Sequence, residues 1–204
     1  MTRSALPAPA LPAPALVRPA TGHSPVAPAP APAPTAATRP TGAAALAVSL
    51  SLRPDVWSSL VEYRDESRWT HLLDPEVAAA ALDESLHPEL ASAQVWLLSW
   101  LPGQGTPLHD HGASAGAFAV ARGTLTERVV AQRRTGPPQQ NTADLTAGRV
   151  RHFGPHYVHQ VVNTVSEAAV SIHVYTPPLR LMNTYRVGPD GLVRVGTERA
   201  GVDW

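Results

Sequence analysis

The chain has 204 residues, no cysteine and no lysine, so its sixteen basic residues are all arginine and balance sixteen acidic ones. Without cysteine there are no disulfides, iron–sulfur clusters, zinc–thiolate sites or thiol nucleophiles, and without lysine there is no Schiff base or lysine-dependent phosphate loop. From Arg53 onward there are 13 arginines and 16 acidic residues, which gives a net charge of −3. This segment lacks the excess of basic residues that is typical of nucleic-acid-binding domains. No stretch reaches the roughly twenty apolar residues of a membrane span, and no compact signal segment opens the chain. We therefore expect a cytoplasmic monomer without nucleic-acid or membrane partners.

Residues 1–44 have the composition of a linker. They contain eleven of the twenty-two prolines and fourteen alanines, with Ala-Pro repeats between Ala27 and Pro34. Proline removes backbone donors and favours extended structure, while alanine offers little side chain to bury. We predict a disordered tail over residues 1–44 and a single domain over residues 45–204.

Helical signals open this domain and strand signals follow. Pro54 is placed for a first helical turn that leads to Val61, and Asp74-Pro75 predicts the start of an alanine-rich helix that runs to about Leu86. After Pro88 come short β-rich runs separated by turn residues. The predicted strands are Val95 to Leu101, Ala117 to Val120, Leu125 to Ala131, Tyr157 to Val162, Ala169 to Tyr175 and Thr184 to Val187. This order predicts a mainly β fold, a sandwich or barrel of jelly-roll type with short N-terminal helices.

Three histidines have the spacing of metal ligands. His109 and His111 are two residues apart, so on a strand they share a face while Asp110 points to the other side. A third ligand must come from another strand, and His159 lies in the run predicted over Tyr157 to Val162. The pattern predicts a mononuclear metal site. The competing interpretation is that these are hydrogen-bonded histidines without a metal.

The glycines around these histidines resemble those of the two cupin motifs. The first usually carries a glutamate ligand, which is replaced here by Gly116. A further segment has a Ser-x-His-x-Tyr pattern followed by two prolines, and this combination resembles the cysteine dioxygenase family over roughly Trp57 to Pro178. The segments are Gly103-x5-His109-x-His111-x4-Gly116-x6-Gly123, Gly148-x10-His159-x3-Asn163 and Ser171-Ile-His173-Val-Tyr175-Thr-Pro177-Pro178.

The resemblance implies a cupin-type jelly-roll barrel that binds one Fe²⁺ and adds both atoms of O2 to the sulfur of a small thiol. L-cysteine is the first candidate substrate, and 3-mercaptopropionate or a related thiol is the second. It also implies a cis peptide in the region from Tyr175 to Pro177. The implied ligands are His109, His111 and His159, and the implied outer-sphere relay is Ser171, His173 and Tyr175. The alternative for these three is a polar barrel lining.

Two positions depart from the family. Animal members carry at the position of Gly116 a cysteine that is bonded to the tyrosine matching Tyr175, so here Tyr175 must be unmodified, as in bacterial members. The family's substrate-carboxylate arginine falls on His71, which is expected to anchor the carboxylate weakly and only when protonated. A solvated His71 without substrate contact is the alternative. The anchor could instead be an arginine from elsewhere, namely Arg64, Arg68 or Arg180.

A different class of function also fits three histidines. Imidazole binds zinc and nickel as well as iron, so a non-catalytic binding or sensing module, or a cupin with isomerase-like chemistry, stays open at the level of sequence. The Ser171-His173-Tyr175 pattern favours the oxygenase.

Overall fold

The computed structural model describes residues 41–189 and 191–202. The tail predicted over residues 1–44 lies outside the described residues as far as Pro40. Within these residues, four α-helices precede or interrupt the first strands: α1 Ala43–Ser51, α2 Pro54–Trp57, α3 Pro75–Ala81 and α4 His87–Ala91. The strands are β1 Trp69–Leu72, β2 Gln94–Trp100, β3 Leu108–Asp110, β4 Ala115–Arg122, β5 Thr124–Ala131, β6 Gln139–Thr146, β7 Val150–Phe153, β8 His159–Val162, β9 Ala169–Thr176, β10 Leu181–Gly188 and β11 Gly191–Arg199.

The strands form two antiparallel sheets, and this confirms the predicted jelly-roll architecture. The first sheet has the order β1-β2-β9-β4-β7 and the second has the order β11-β10-β3-β8-β5-β6. The six predicted strands correspond to β2, β4, β5, β8, β9 and β10, whereas β1, β3, β6, β7 and β11 were not among them. The missed strands are short or largely exposed, so they lack the run of apolar residues that identifies a buried strand.

The helices cover the outer face of the first sheet. Helix α1 was not predicted; it begins at Ala43, inside the segment assigned to the tail, and buries Leu46 and Leu50 completely. Helix α3 begins as predicted, because the Asp74 carboxylate accepts a hydrogen bond of 2.7 Å from the Glu76 amide. It ends at Ala81, and a separate 3₁₀ turn covers Glu84–Leu86 in place of the continuous helix expected. No helix in the described ranges is long and apolar enough to cross a membrane.

Both faces of the first sheet are buried, and they bury different residues. Leu97 and Ile172 pair across β2 and β9 and pack under the helices. Trp96, Leu98 and Trp100 alternate with Leu97 and point inward, where they meet side chains of the second sheet such as Val161. The inward face therefore forms a barrel core between the two sheets.

Candidate metal centre

Three buried histidines converge in this barrel core. Their candidate ligand atoms all lie within 4.8 Å of one another, and each side chain is at most 3% exposed. His109 on β3 is directly opposite His159 on β8, and His111 follows the end of β3. The strand pairing, which the sequence did not reveal, thus joins the two halves of the predicted ligand set.

Hydrogen bonds fix which ring nitrogen of two histidines faces the cluster. His109 Nδ1 lies 2.9 Å from the Pro107 carbonyl oxygen, and His159 Nδ1 lies 2.8 Å from a Glu127 carboxylate oxygen. Both oxygens accept, so both Nδ1 atoms must donate and each Nε2 keeps its lone pair. Within the described part of the chain, His159 Nε2 and His111 Nδ1 are buried without a hydrogen-bond partner. Three clustered histidines with buried ring nitrogens that lack hydrogen-bond partners fit a metal ion.

The electrostatics favour neutral ligands. Burial lowers the pKa of His109 well below its usual value, and the neighbouring His159 lowers it further. Burial likewise lowers the pKa of His111, with His109 as the next cause. Neutral imidazole is the form that binds a metal, so His109 and His111 are ready to act as donors at neutral pH.

Asp110 points away from the cluster, as its position between the two histidines predicts. Its carboxylate accepts hydrogen bonds of 2.9 Å from the Gly112 amide, 2.8 Å from Asn183 Nδ2 and 2.7 Å from Tyr185 Oη. Burial, followed by the hydrogen bond to Asp110, raises the pKa of Tyr185 to about 12. These bonds tie the turn after β3 to β10, and they hold the backbone that carries His109 and His111.

A chain of hydrogen bonds runs along the inward face of β9 toward the cluster. Ser171 Oγ lies 2.9 Å from His173 Nε2, and His173 Nδ1 lies 3.4 Å from Tyr175 Oη. Trp100 Nε1 donates to Ser171 Oγ at 2.9 Å, a contact that the sequence did not predict. The Tyr175 ring is 5.1 Å from that of His111. The structure thus brings all three predicted relay residues beside the histidines, and the Thr176–Pro177 peptide that follows is cis.

Trp100 adds a hydrogen-bond donor to this relay. An indole N–H only donates, so one lone pair of Ser171 Oγ receives it, and the single hydroxyl proton of Ser171 is available to His173 Nε2 at 2.9 Å. When Ser171 donates that proton to Nε2, His173 carries its own proton on Nδ1 and donates it to Tyr175 Oη. In this arrangement the phenol proton of Tyr175 is free to donate toward the histidine cluster.

Burial keeps the relay uncharged. It lowers the pKa of His173 from 6.5 to about 3, with the nearby His159 as the second cause. It also raises the pKa of Tyr175, and the positive charge of Arg68 opposes that rise. Both side chains are therefore neutral at physiological pH, and Tyr175 keeps its proton.

His71 is the one predicted site residue that the structure does not bring to the cluster. It pairs with Leu97, and residues opposite each other in antiparallel strands share a face. That face packs under the helices, whereas Trp96 and its partner His173 point inward. His71 instead stacks on Trp69, with ring centroids 5.4 Å apart. The carboxylate-anchoring role predicted for His71 has no support in this geometry.

Two of the three alternative arginines approach the site. The Arg68 guanidinium carbon lies 6.0 Å from the Trp100 ring centroid. Burial lowers the pKa of Arg68, while the nearby Tyr175 and Glu198 raise it. Arg180 lines a cavity of about 340 Å³ that also touches His111. Arg64 is exposed and forms an ion pair with Glu62 at 3.0 Å.

Phe153 forms an apolar wall of the site, and the sequence did not indicate it. The side chain is buried on β7, and its ring centroid lies 4.2 Å from that of His111 and 5.6 Å from that of Tyr175. It faces Gly116 across the β4–β7 pair. The position at which cupins usually carry a glutamate ligand is thus filled by an aromatic ring.

Glu127 is a second site residue that sequence analysis missed. It lies on β5, is 1% exposed and contacts His159 directly. Its strand places Leu125 and Glu127 on the same buried face. The sequence did carry a signal for this residue: a carboxylate in the predicted strand Leu125 to Ala131, at a position where an apolar residue is expected.

Comparison with known proteins agrees with the motifs. Residues 87–187 match the family model described as cysteine dioxygenase type I. The chain belongs to the cysteine dioxygenase family. The matched segment includes the three histidines of the cluster and the whole relay, and it excludes His71 and Arg68.

Solved structures with a similar fold have low sequence identity to this family member. A Thermus thermophilus protein is 20% identical with a TM-score of 0.44, over 59% of this chain and 93% of the other. A cupin superfamily protein from Desulfitobacterium hafniense is 14% identical with a TM-score of 0.40, over 59% of this chain and 86% of the other. A recombinant oxalate oxidase in complex with glycolate is 15% identical with a TM-score of 0.43, over 56% of this chain and 53% of the other. This chain therefore spans about half the length of that oxidase.

Proposed function

We propose that the protein is an iron-dependent thiol dioxygenase that converts a small thiolate and O2 into the corresponding sulfinate, R–S⁻ + O2 → R–SO2⁻. The observation that carries the proposal is the position of a protonated tyrosine beside the histidine cluster, with the ring centroids of His111 and Tyr175 5.1 Å apart. The family match and the absence of a carboxylate ligand at Gly116 support it. Fe²⁺ is the proposed ion because the family resemblance implies it.

His109, His111 and His159 would hold the ion. A ferrous ion held there would supply a site at which an anionic thiolate and O2 would meet. The protein's own contribution is to keep His109 and His111 neutral by burial and to line the barrel core with apolar rings, namely Phe153 and Phe118, whose ring centroid lies 5.0 Å from that of His173.

Tyr175 is the proposed hydrogen-bond donor to the reacting groups. Its proton is retained because burial raises the pKa of the phenol. His173 forms a hydrogen bond with the phenol oxygen. His173 is oriented in turn by its hydrogen bond with Ser171, which accepts a hydrogen bond from Trp100. A donor oriented in advance stabilises charge that develops in the transition state without reorganising first.

Arg68 is the proposed anchor for a substrate carboxylate. It is close enough to Tyr175 for its charge to act on the phenol, and its guanidinium keeps that charge across the physiological range. A charge-assisted hydrogen bond contributes about 1.5–3 kcal/mol. This favours a carboxylate-bearing thiol, with L-cysteine first and 3-mercaptopropionate second.

The deciding experiment combines metal analysis with oxygen uptake. Protein purified without added metal is assayed for iron, zinc and nickel, and O2 consumption and sulfinate formation are measured with L-cysteine, 3-mercaptopropionate and cysteamine. We expect iron and one O2 consumed per sulfinate formed. Bound zinc or nickel together with no sulfinate, even after reconstitution with Fe²⁺, would overturn the proposal in favour of a non-oxygenase cupin.

A further inference from the structure

We infer that Glu127 is a positioning residue of the metal centre, which fixes the ring orientation and the tautomer of His159. This inference rests on the metal-binding part of the proposed function and is independent of thiol oxidation. It extends the site by one carboxylate that lies outside the set of three ligands.

The strand register places Glu127 against His159. On the paired strands β5 and β8, Val129 is opposite His159 and Glu127 is opposite Val161. Glu127 is therefore the diagonal neighbour of His159 on the same face, within reach of a long side chain. Its Oε1 atom lies 2.8 Å from His159 Nδ1, and both side chains are 1% exposed.

Two further donors hold the Glu127 carboxylate. Arg151 Nε donates to Oε2 at 2.9 Å, and Tyr157 Oη donates to Oε1 at 3.3 Å. A buried carboxylate is costly unless it is paired and hydrogen-bonded, and here all three partners are donors. Arg151 lies on β7 of the first sheet, whereas Glu127 and His159 belong to the second, so the ion pair also bridges the two sheets.

The Glu127 carboxylate determines which nitrogen of His159 carries the ring proton. Glu127 can only accept from His159, so the ring proton resides on Nδ1 and the Nε2 lone pair points away from the carboxylate. His159 Nε2 has no other partner in the described ranges, which leaves it to a metal ion. The opposite tautomer would set the Nδ1 lone pair against the carboxylate and turn an N–H toward His109 and His111.

The three candidate ligands differ in the hydrogen-bond acceptors that orient their rings. His109 donates to the Pro107 carbonyl, a neutral acceptor in its own loop. His159 alone has a carboxylate partner among the described side chains. Partners of this kind typically contribute ten- to a hundredfold in metal affinity, about the size of effect expected from Glu127.

The test compares Glu127→Gln and Glu127→Leu with the unaltered protein. Glu127→Gln keeps an oxygen that can accept from His159 Nδ1, whereas Glu127→Leu removes the acceptor at similar volume. Asp144→Asn is the matched control, because Asp144 is an exposed carboxylate on the strand paired with β5. Long-range ¹H–¹⁵N NMR of the metal-free full-length chain reports the His159 tautomer, and competition with a chelator gives the affinity for Co²⁺.

We expect the Nδ1–H tautomer in the unaltered protein and in Asp144→Asn. Glu127→Leu should lose that preference and bind Co²⁺ roughly ten- to a hundredfold more weakly, and Glu127→Gln should recover much of the affinity. Native affinity and an unchanged tautomer in Glu127→Leu would overturn the inference. If Glu127→Leu does not fold, the unaltered metal-free protein still tests the inference, because an Nε2–H tautomer of His159 there would overturn it. If the His159 tautomer and the Co²⁺ affinities are as expected but no thiol is oxidised, only the proposed function is contradicted.

Discussion

Gly116 and Phe153 face each other across strands β4 and β7, and the missing side chain of the glycine makes room for the aromatic ring. A Cβ on Gly116 would overlap the carbonyl oxygen of Val174 and lie 2.9 Å from Phe153 Cζ. The ring thereby reaches His111 and Tyr175. The replacement of the usual glutamate by Gly116 is thus part of an aromatic packing arrangement.

Gly116→Ala should therefore destabilise the fold. The added methyl group forces β4 away from β9 or displaces Phe153, and such overpacking costs about 1–3 kcal/mol. Gly154→Ala is the control, because nothing lies within 4 Å of a Cβ at that position. Denaturant unfolding of both variants measures the difference, and equal stability would show that the close approach at Gly116 relaxes freely.

Replacing any one of the clustered histidines with alanine should abolish metal retention. Each provides one of three converging lone pairs, and two ligands bind a divalent ion far more weakly than three. His152→Ala is the control, since His152 is exposed on β7. Metal content is measured by mass spectrometry. If His159→Ala kept full metal occupancy and turnover, the assignment of the third ligand would be wrong.

Tyr175→Phe should reduce turnover with little loss of metal. The phenol is a hydrogen-bond donor and not a ligand in this arrangement, and removing one such donor typically costs about a hundred- to a thousandfold in kcat. Trp100→Phe should lower kcat in the same direction but less, because it removes only the contact that directs Ser171. Metal content and kcat are compared for each variant. Parallel loss of metal in both would show that the relay is structural.

Arg68→Met should raise KM for L-cysteine and leave KM for cysteamine nearly unchanged. Only cysteine offers a carboxylate, and loss of a charge-assisted contact of about 1.5–3 kcal/mol corresponds to roughly ten- to a hundredfold. Because guanidinium does not titrate near neutrality, KM for cysteine should not rise through the histidine range. Arg180→Met is the comparison. If that variant and not Arg68→Met shows the effect, the anchor lies in the cavity beside His111.

The metal-free protein should lose stability as the pH falls below about 6.5. Burial lowers the pKa of His173 from 6.5 to about 3, so between these values the unfolded chain binds a proton that the folded chain does not. The contribution of neutral His173 is fully present above pH 6.5 and decreases by up to about 1.4 kcal/mol per pH unit below it. Urea unfolding at several pH values measures the slope. His173→Gln should give a shallower slope than the unaltered protein, and identical slopes would contradict the prediction.

The sequence predicted the features that depend on local periodicity. His109 with His111, and Ser171 with His173 and Tyr175, share a face because alternate residues of a strand always do. Features set by pairing between distant strands were not predictable in this way. The face of His71 depends on the β1–β2 register, and the burial of Glu127 depends on the β5–β8 register. Helix α1 was missed because its alanines continue the composition of the preceding tail.

The three histidines and the relay belong to opposite walls of the barrel. His109 and His159 lie on strands of the second sheet and His111 directly follows one of them, whereas Ser171, His173 and Tyr175 lie on β9 of the first sheet. The donor nitrogens and the phenol are thus held by two separate sets of hydrogen-bonded strands. The packing of the first sheet on the second is therefore what brings the phenol to the histidine cluster, and any change that shifts one sheet against the other would separate the two parts of the site.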